Sequence, residues 1–103
     1  MLMNNLKIKE MKAIYQGQVI AESDQTIHVE GNQYFPPESV NMEFLKKSEL
    51  HSVCHWKGKA SYYDVIVGEA INKDAAWYYP NPSAMADKLK NYIAFWRGVG
   101  IIK

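Results

Sequence analysis

The sequence has one cysteine and three histidines, and both scarcities exclude kinds of site. With Cys54 alone, no disulfide forms within the chain, and the paired Cys-x-x-Cys knuckles that hold zinc in many small sheet proteins are absent. The histidines, His28, His51 and His55, show no ligand spacing. We therefore expect no metal and no cofactor.

The sequence also lacks an excess of charge of one sign and long apolar runs. A net charge of +1 over 103 residues argues against a general nucleic-acid-binding protein, which needs a strong basic field. No apolar run approaches the roughly 20 residues of a membrane-spanning helix, and Met1-Leu2-Met3 is too short for a signal peptide. A single thiol suits a reducing compartment. The sequence thus predicts a cytoplasmic protein without a membrane partner.

The chain length fits one domain, and its patterning predicts a mainly β fold. Short runs of aromatic and β-branched residues alternate with turns that contain glycine, proline or asparagine. Gly31-Asn32 has the form of a two-residue hairpin turn, and residues 46–49 have that of a solvated loop. Ile93–Trp96 and Val99–Ile102 are predicted to be closing strands. Residues 1–10 are predicted to be an N-terminal extension of a single domain at 11–103.

One short helix is predicted near the C-terminus. Ser83 is a suitable N-cap, and the helix would run from Ala84 to Asn91. Met85, Leu89 and Tyr92 recur at helical spacing, so we expect all three to face the sheet.

The stretch from His51 to Tyr63 concentrates polar reactivity among aromatic rings. Lys57 and Lys59 flank a glycine close to Cys54, and a nearby ammonium lowers the pKa of a thiol. Cys54 is therefore a candidate nucleophile, for which His51 and His28 are the two bases to consider. Two other interpretations stay open: the cysteine is a small buried hydrophobe, and the lysines are solvated turn charges.

Aromatic residues make up 13% of the chain, and many lie in three segments that hairpins bring together. Such rings either fill a core or line a pocket, but buried tryptophan and tyrosine need hydrogen-bond partners, which favours a cleft. The predicted ligand-binding residues are Trp56, Lys57, Tyr63, Trp77, Tyr79 and Phe95.

The pattern Cys-x-Trp-Lys-Gly-x-Ala-x-Tyr-Tyr at residues 54–63 resembles the signature of a bacterial family of small proteins, the domain of unknown function 427. Further matching pieces lie at 13–23, 34–40 and 76–96, so the resemblance covers roughly residues 11–103. His55 stands where the family usually has proline. The resemblance implies a β-tent-like fold, with curled antiparallel sheets around an aromatic pocket. It also carries a nucleotidyltransferase label.

We thus expect a mainly β, tent-like domain with one short C-terminal helix, a monomer or weak homodimer that binds an unidentified small molecule. Two alternatives remain. One is an enzyme, thiol-dependent or nucleotidyltransferase-like, although the acidic residues form no Asp-x-Asp pair. The other is a module that binds a peptide with the same rings, which an exposed sheet edge beside the pocket would favour.

Overall fold

The computed structural model describes residues 10–103, so the predicted N-terminal extension lies, except for Glu10, outside the described residues. The described chain is mainly β, and all of its strand ladders are antiparallel, which confirms the predicted fold class. Its strands are β1 (Met11–Tyr15), β2 (Gln18–Ser23), β3 (Ile27–Val29), β4 (Asn32–Tyr34), β5 (Leu45–Cys54), β6 (Gly58–Val67), β7 (Ala70–Tyr78), β8 (Ile93–Phe95) and β9 (Gly100–Ile102).

The strands form a three-stranded sheet, a four-stranded sheet and a hairpin. The order in the first sheet is β2-β1-β9, the order in the second is β5-β6-β7-β8, and β3 and β4 form the hairpin. Two hydrogen bonds join the hairpin to β8: Phe35 N donates to Ile93 O at 2.8 Å, and Ile93 N donates to Phe35 O at 2.9 Å. The hairpin is thereby held beside the last strand of the larger sheet.

Both faces of the four-stranded sheet are covered. One face packs on the three-stranded sheet, where Ile20 meets a fully buried cluster that includes Val65 and Phe95. The other face packs on the β3–β4 hairpin and on the segment after β7, in a cluster that includes Tyr34 and Leu89. Because successive strand residues point to opposite faces, neighbouring aromatic residues enter different clusters.

β5 is an edge strand, and most of its ten side chains are exposed. It includes residues 46–49, which we predicted to be a solvated loop, and Lys46 and Lys47 pair with Asp64 and Tyr63 of β6. That prediction was wrong about the backbone, because charged side chains are also a usual feature of exposed edge strands, where they oppose further pairing.

The C-terminal helix is shorter and tighter than predicted. It is a 3₁₀ helix, Ala84–Leu89, with non-helical backbone angles at Ala86. Leu89 is buried, but Met85 is 80% exposed, so the prediction that both face the sheet was wrong for Met85. A 3₁₀ helix has three residues per turn, and the break at Ala86 further removes the four-residue spacing. No helix among residues 10–103 has the length and apolar character needed to cross a membrane.

The two closing strands belong to different sheets. β8 is the outer strand of the four-stranded sheet, whereas β9 pairs with β1 in the three-stranded sheet. Arg97 and Gly98, both with positive φ, turn the chain between them. This turn carries the chain from one sheet to the other.

We expect substitutions at Leu89 and Met85 to differ sharply in their effect on stability. Leu89→Ala should lower the free energy of unfolding by about 2–5 kcal/mol, because it leaves a cavity under the 3₁₀ helix. Met85→Ala should change it by less than about 0.5 kcal/mol, as is usual for an exposed side chain. Urea denaturation of both variants measures the difference. Equal losses would show that Met85 is packed.

Candidate functional site

A cavity of about 260 Å³ opens on the hairpin-covered face of the four-stranded sheet. It is formed by the β3–β4 hairpin, the β5–β6 turn, β7 and the residue that follows β8. Its lining residues are Glu30, Asn32, Tyr34, Cys54, Lys57, Tyr62, Trp77, Tyr79 and Trp96. The wall is thus mainly aromatic, with a polar group at the β5–β6 turn.

Trp77 is at the centre of the aromatic wall. It lies directly across from Tyr62 in the β6–β7 ladder. Its ring meets Tyr34 edge-on at a centroid distance of 6.1 Å and Trp96 edge-on at 5.6 Å, and its Nε1 donates to Tyr34 Oη at 3.2 Å. Edge-to-face pairs of this kind add to the stabilisation from burial, so the wall is an ordered surface.

Tyr63 and Phe95, two of the predicted ligand-binding residues, lie outside this cavity. Tyr63 stacks on Tyr78 at 4.8 Å, and Phe95 meets Phe35 edge-on at 5.7 Å, in the core between the two sheets. Burial and the neighbouring Tyr78 raise the pKa of Tyr63 to about 12. The reason for the separation is strand alternation, because Tyr63 follows Tyr62 and therefore points to the other face.

Lys57 is buried although it lies in a turn. It is 4% exposed and forms an ion pair with Glu30, which is 53% exposed at its side chain. Its Nζ also lies 4.7 Å from the centroid of the Trp56 ring and 5.8 Å from that of Tyr79. Burial opposes the charge, but hydrogen bonding to Glu30 and the interactions with Cys54 and Tyr34 together more than offset this, so the pKa of Lys57 is raised and the side chain stays an ammonium.

Trp56 holds the other side of the same carboxylate. Its Nε1 donates to Glu30 Oε2 at 3.1 Å, while Lys57 engages Oε1. These two hydrogen bonds lower the pKa of Glu30. Trp56 is not itself among the lining residues. It contacts two residues that are, Glu30 and Lys57.

Glu30 is presented by a tight turn with unfavourable backbone angles. The two-residue loop of the β3–β4 hairpin is Glu30-Gly31, with φ of 53° and 83°, and not the predicted Gly31-Asn32. Positive φ at both positions is typical of a type I′ turn, where asparagine and glycine are preferred and glutamate is uncommon. The ion pair with Lys57 fixes the position of the Glu30 side chain at this turn.

Ser83 ties the β5–β6 turn to the start of the 3₁₀ helix. Its hydroxyl donates to Trp56 O, and its backbone N donates to Lys57 O at 3.0 Å. Gly58 has a φ of +114°, and a Cβ there would lie 3.4 Å from Asn81 O. The family usually has proline at position 55, where this chain has His55. Here the contacts of Ser83 and Gly58 hold the turn in place.

Cys54 ends β5 inside the cavity. Burial tends to raise the pKa of its thiol, but the backbone N–H groups of Lys57 and Trp56 and the Lys57 ammonium together lower it. The histidines have other neighbours: His51 Nδ1 lies 3.2 Å from Ser61 Oγ, and His28 contacts Gln33. The groups that lower the pKa of the Cys54 thiol thus belong to Lys57 and Trp56, whereas the contacts of His51 and His28 are with other residues.

Sequence reasoning missed several lining residues. Tyr62 and Tyr34 lie in segments that carry the family resemblance but were not selected as ligand-binding residues, whereas Asn32 and Glu30 come from a hairpin whose one signal was its glycine. Tyr62 could have been recognised from alternation, since it points opposite to Tyr63. Within residues 10–103, no three histidine, cysteine, aspartate or glutamate side chains come together as a group able to hold a metal ion.

A family model described as a domain of unknown function, DUF427, matches residues 5–101. The chain belongs to this family. This confirms the resemblance on which the prediction rested, and the match begins inside the segment that we predicted to be an extension. No curated protein matches the chain.

We expect the pKa of the Cys54 thiol to lie below that of an ordinary cysteine. Its rate of alkylation by iodoacetamide should reach half of its plateau below the pH of about 8.5 that is typical of a free cysteine. Lys57→Met should move that midpoint upwards, because the ammonium is lost while the backbone donors remain. Lys59→Met is the control, since Lys59 is an exposed lysine in the same turn. A midpoint that Lys57→Met leaves unchanged would contradict the assignment.

Proposed function

We propose that this protein binds a small planar molecule in the cavity between the β3–β4 hairpin and the four-stranded sheet. The observation that carries the proposal is the composition of the wall. Trp77, Tyr79 and Tyr34 supply flat apolar surface, and Lys57 supplies a buried charge at one end of it. A concave aromatic surface with a few convergent polar groups is the usual form of a small-molecule site.

The volume limits the size of the molecule. An apolar cavity of about 150 Å³ accepts benzene, whereas drug-sized ligands occupy about 300–1,000 Å³. At about 260 Å³, this cavity accommodates one ring with several substituents. If these aromatic residues only filled the core, no cavity of this size would remain beside the buried Lys57 ammonium.

Neighbouring residues of β7 provide a sharp test, because Trp77 faces the cavity and Tyr78 faces the core. A thermal-shift screen of single-ring metabolites and nucleobases comes first, since a ligand of the native state raises the melting temperature. Trp77→Leu should then weaken the binding of the hits by about tenfold or more. Tyr78→Leu should leave their affinity unchanged, although both variants should lose about 1–3 kcal/mol of stability.

Two results would contradict the proposal. In the first, no compound of this size stabilises the protein. In the second, Tyr78→Leu weakens binding as much as Trp77→Leu does, which would place the ligand elsewhere or make the loss a general effect on the fold.

A peptide-binding role is the second candidate, and the uncharged end of the exposed β5 edge, residues 52–54, favours it. Val53 is 78% exposed, and the strand runs directly into Cys54 at the cavity. A peptide added along β5 would bring a side chain to the aromatic wall. Amide chemical shifts that change along β5 on peptide addition would support this role, and shifts confined to the cavity would exclude it.

The other expectations rest on the sequence and on family membership. We propose a bacterial, cytoplasmic protein, supported by the resemblance to a bacterial family and by the single thiol, which suits a reducing compartment. Thiol-dependent catalysis is supported by the position of Cys54 beside Lys57. Nucleotidyltransferase activity and the oligomeric state, monomer or weak homodimer, stay predictions.

A further inference from the structure

The aromatic cavity already contains a cation that belongs to the chain. Cages of tryptophan and tyrosine commonly recognise organic ammonium ions through the faces of their rings. Here, the Lys57 ammonium occupies such a position, 4.7 Å from the Trp56 ring and 5.8 Å from the Tyr79 ring. A second cation entering the cavity would meet like-charge repulsion at a buried site, where water screens charges poorly.

The carboxylate that would attract a cation is fully engaged. Glu30 Oε1 receives the Lys57 ammonium, and Glu30 Oε2 receives Trp56 Nε1 at 3.1 Å. Glu30 therefore offers little to a ligand that carries hydrogen-bond donors. Because the Glu30 side chain is 53% exposed and that of Lys57 only 5%, water screens the carboxylate more than the ammonium, and the positive charge dominates inside the cavity.

The cavity does have a free donor. Tyr34 is 1% exposed and lines the cavity, and its oxygen accepts from Trp77 Nε1 at 3.2 Å. The hydroxyl of Tyr79 adjoins that of Tyr34, so one of the two can donate to the other, and the pair keeps one hydroxyl proton for a further acceptor. A buried donor without an acceptor is costly, so a ligand oxygen that accepts this proton would be bound with a gain in free energy.

We propose that the ligand is a single planar ring bearing a carbonyl or carboxylate oxygen, bound with that oxygen at Tyr34 and Lys57, and that Lys57 excludes organic cations. This inference rests on the proposed function and assigns the ligand class of the same cavity. Lys57 is then a specificity-determining residue, because its charge occupies the place that a cationic ligand would take.

Three probes of similar size test the ligand class: benzamide, benzoate and benzyltrimethylammonium. Their binding is measured by the change in tryptophan fluorescence and by amide chemical shifts. We expect benzamide and benzoate to bind at least about tenfold more tightly than the cation, the difference that one charge-assisted contact produces. Benzyltrimethylammonium binding as tightly as the other two would overturn the inference.

Two variants of the ion pair provide the stronger test. Lys57→Met leaves the Glu30 carboxylate unpaired beside the rings, so benzyltrimethylammonium should gain about tenfold in affinity while benzoate loses a similar factor. Glu30→Gln is the matched control, which breaks the same pair but keeps the ammonium, and it should strengthen benzoate. Lys57→Met leaves a carboxylate that is 53% exposed, whereas Glu30→Gln leaves a buried ammonium beside an amide oxygen, so circular dichroism first checks that both variants fold. If both variants change the three affinities alike, Lys57 does not select the ligand.

The result also separates this inference from the proposed function. If the cation binds the wild-type cavity best, and Trp77→Leu weakens it, the cavity is a binding site but the assigned ligand class is wrong. If none of the probes binds, and no hit of the wider screen responds to Trp77→Leu, the proposed function itself fails.

Discussion

The alternation of side chains in β6 and β7 is the constraint on which both the core and the cavity depend. Tyr62 and Trp77 form a cross-strand pair on one face, and the next residues along each strand, Tyr63 and Tyr78, stack at 4.8 Å on the other. A shift of the register by one residue would exchange the two sets, moving the cavity wall into the core. Dense packing between the sheets therefore also specifies the site, because the strands cannot slide without breaking it.

The ion pair of Lys57 with Glu30 joins two distant parts of the chain at this face. One partner lies in the β5–β6 turn and the other in the β3–β4 turn, 27 residues apart in sequence. A buried ion pair often contributes little net stability, since desolvation offsets the attraction. Its value here is positional: it brings Trp56, Lys57 and the strained Glu30 into one arrangement at the end of the cavity.

Several features of the site were readable from local patterns. The spacing of Trp77 and Tyr79 puts both on one face of a strand, and both line the cavity. The motif around Cys54 and Lys57 located the polar end. Glu30 and Tyr34 were not predictable, because their importance depends on contacts with residues 27 and 43 positions away. Phe95 was grouped with the cavity residues because its strand face depends on its pairing with β7, which the sequence does not reveal.

The sequence by itself determined the strand content, the family, and the identity of the polar group at Cys54 and Lys57, since these depend on short-range periodicity and on a local motif. Only the tertiary structure decided that Lys57 is buried rather than solvated, that Glu30 is its partner, and which aromatic residues share the cavity. The physical reason is that burial and pairing arise when the hairpin closes over the sheet. That closure depends on the register of separate strands, which no single stretch of the chain encodes.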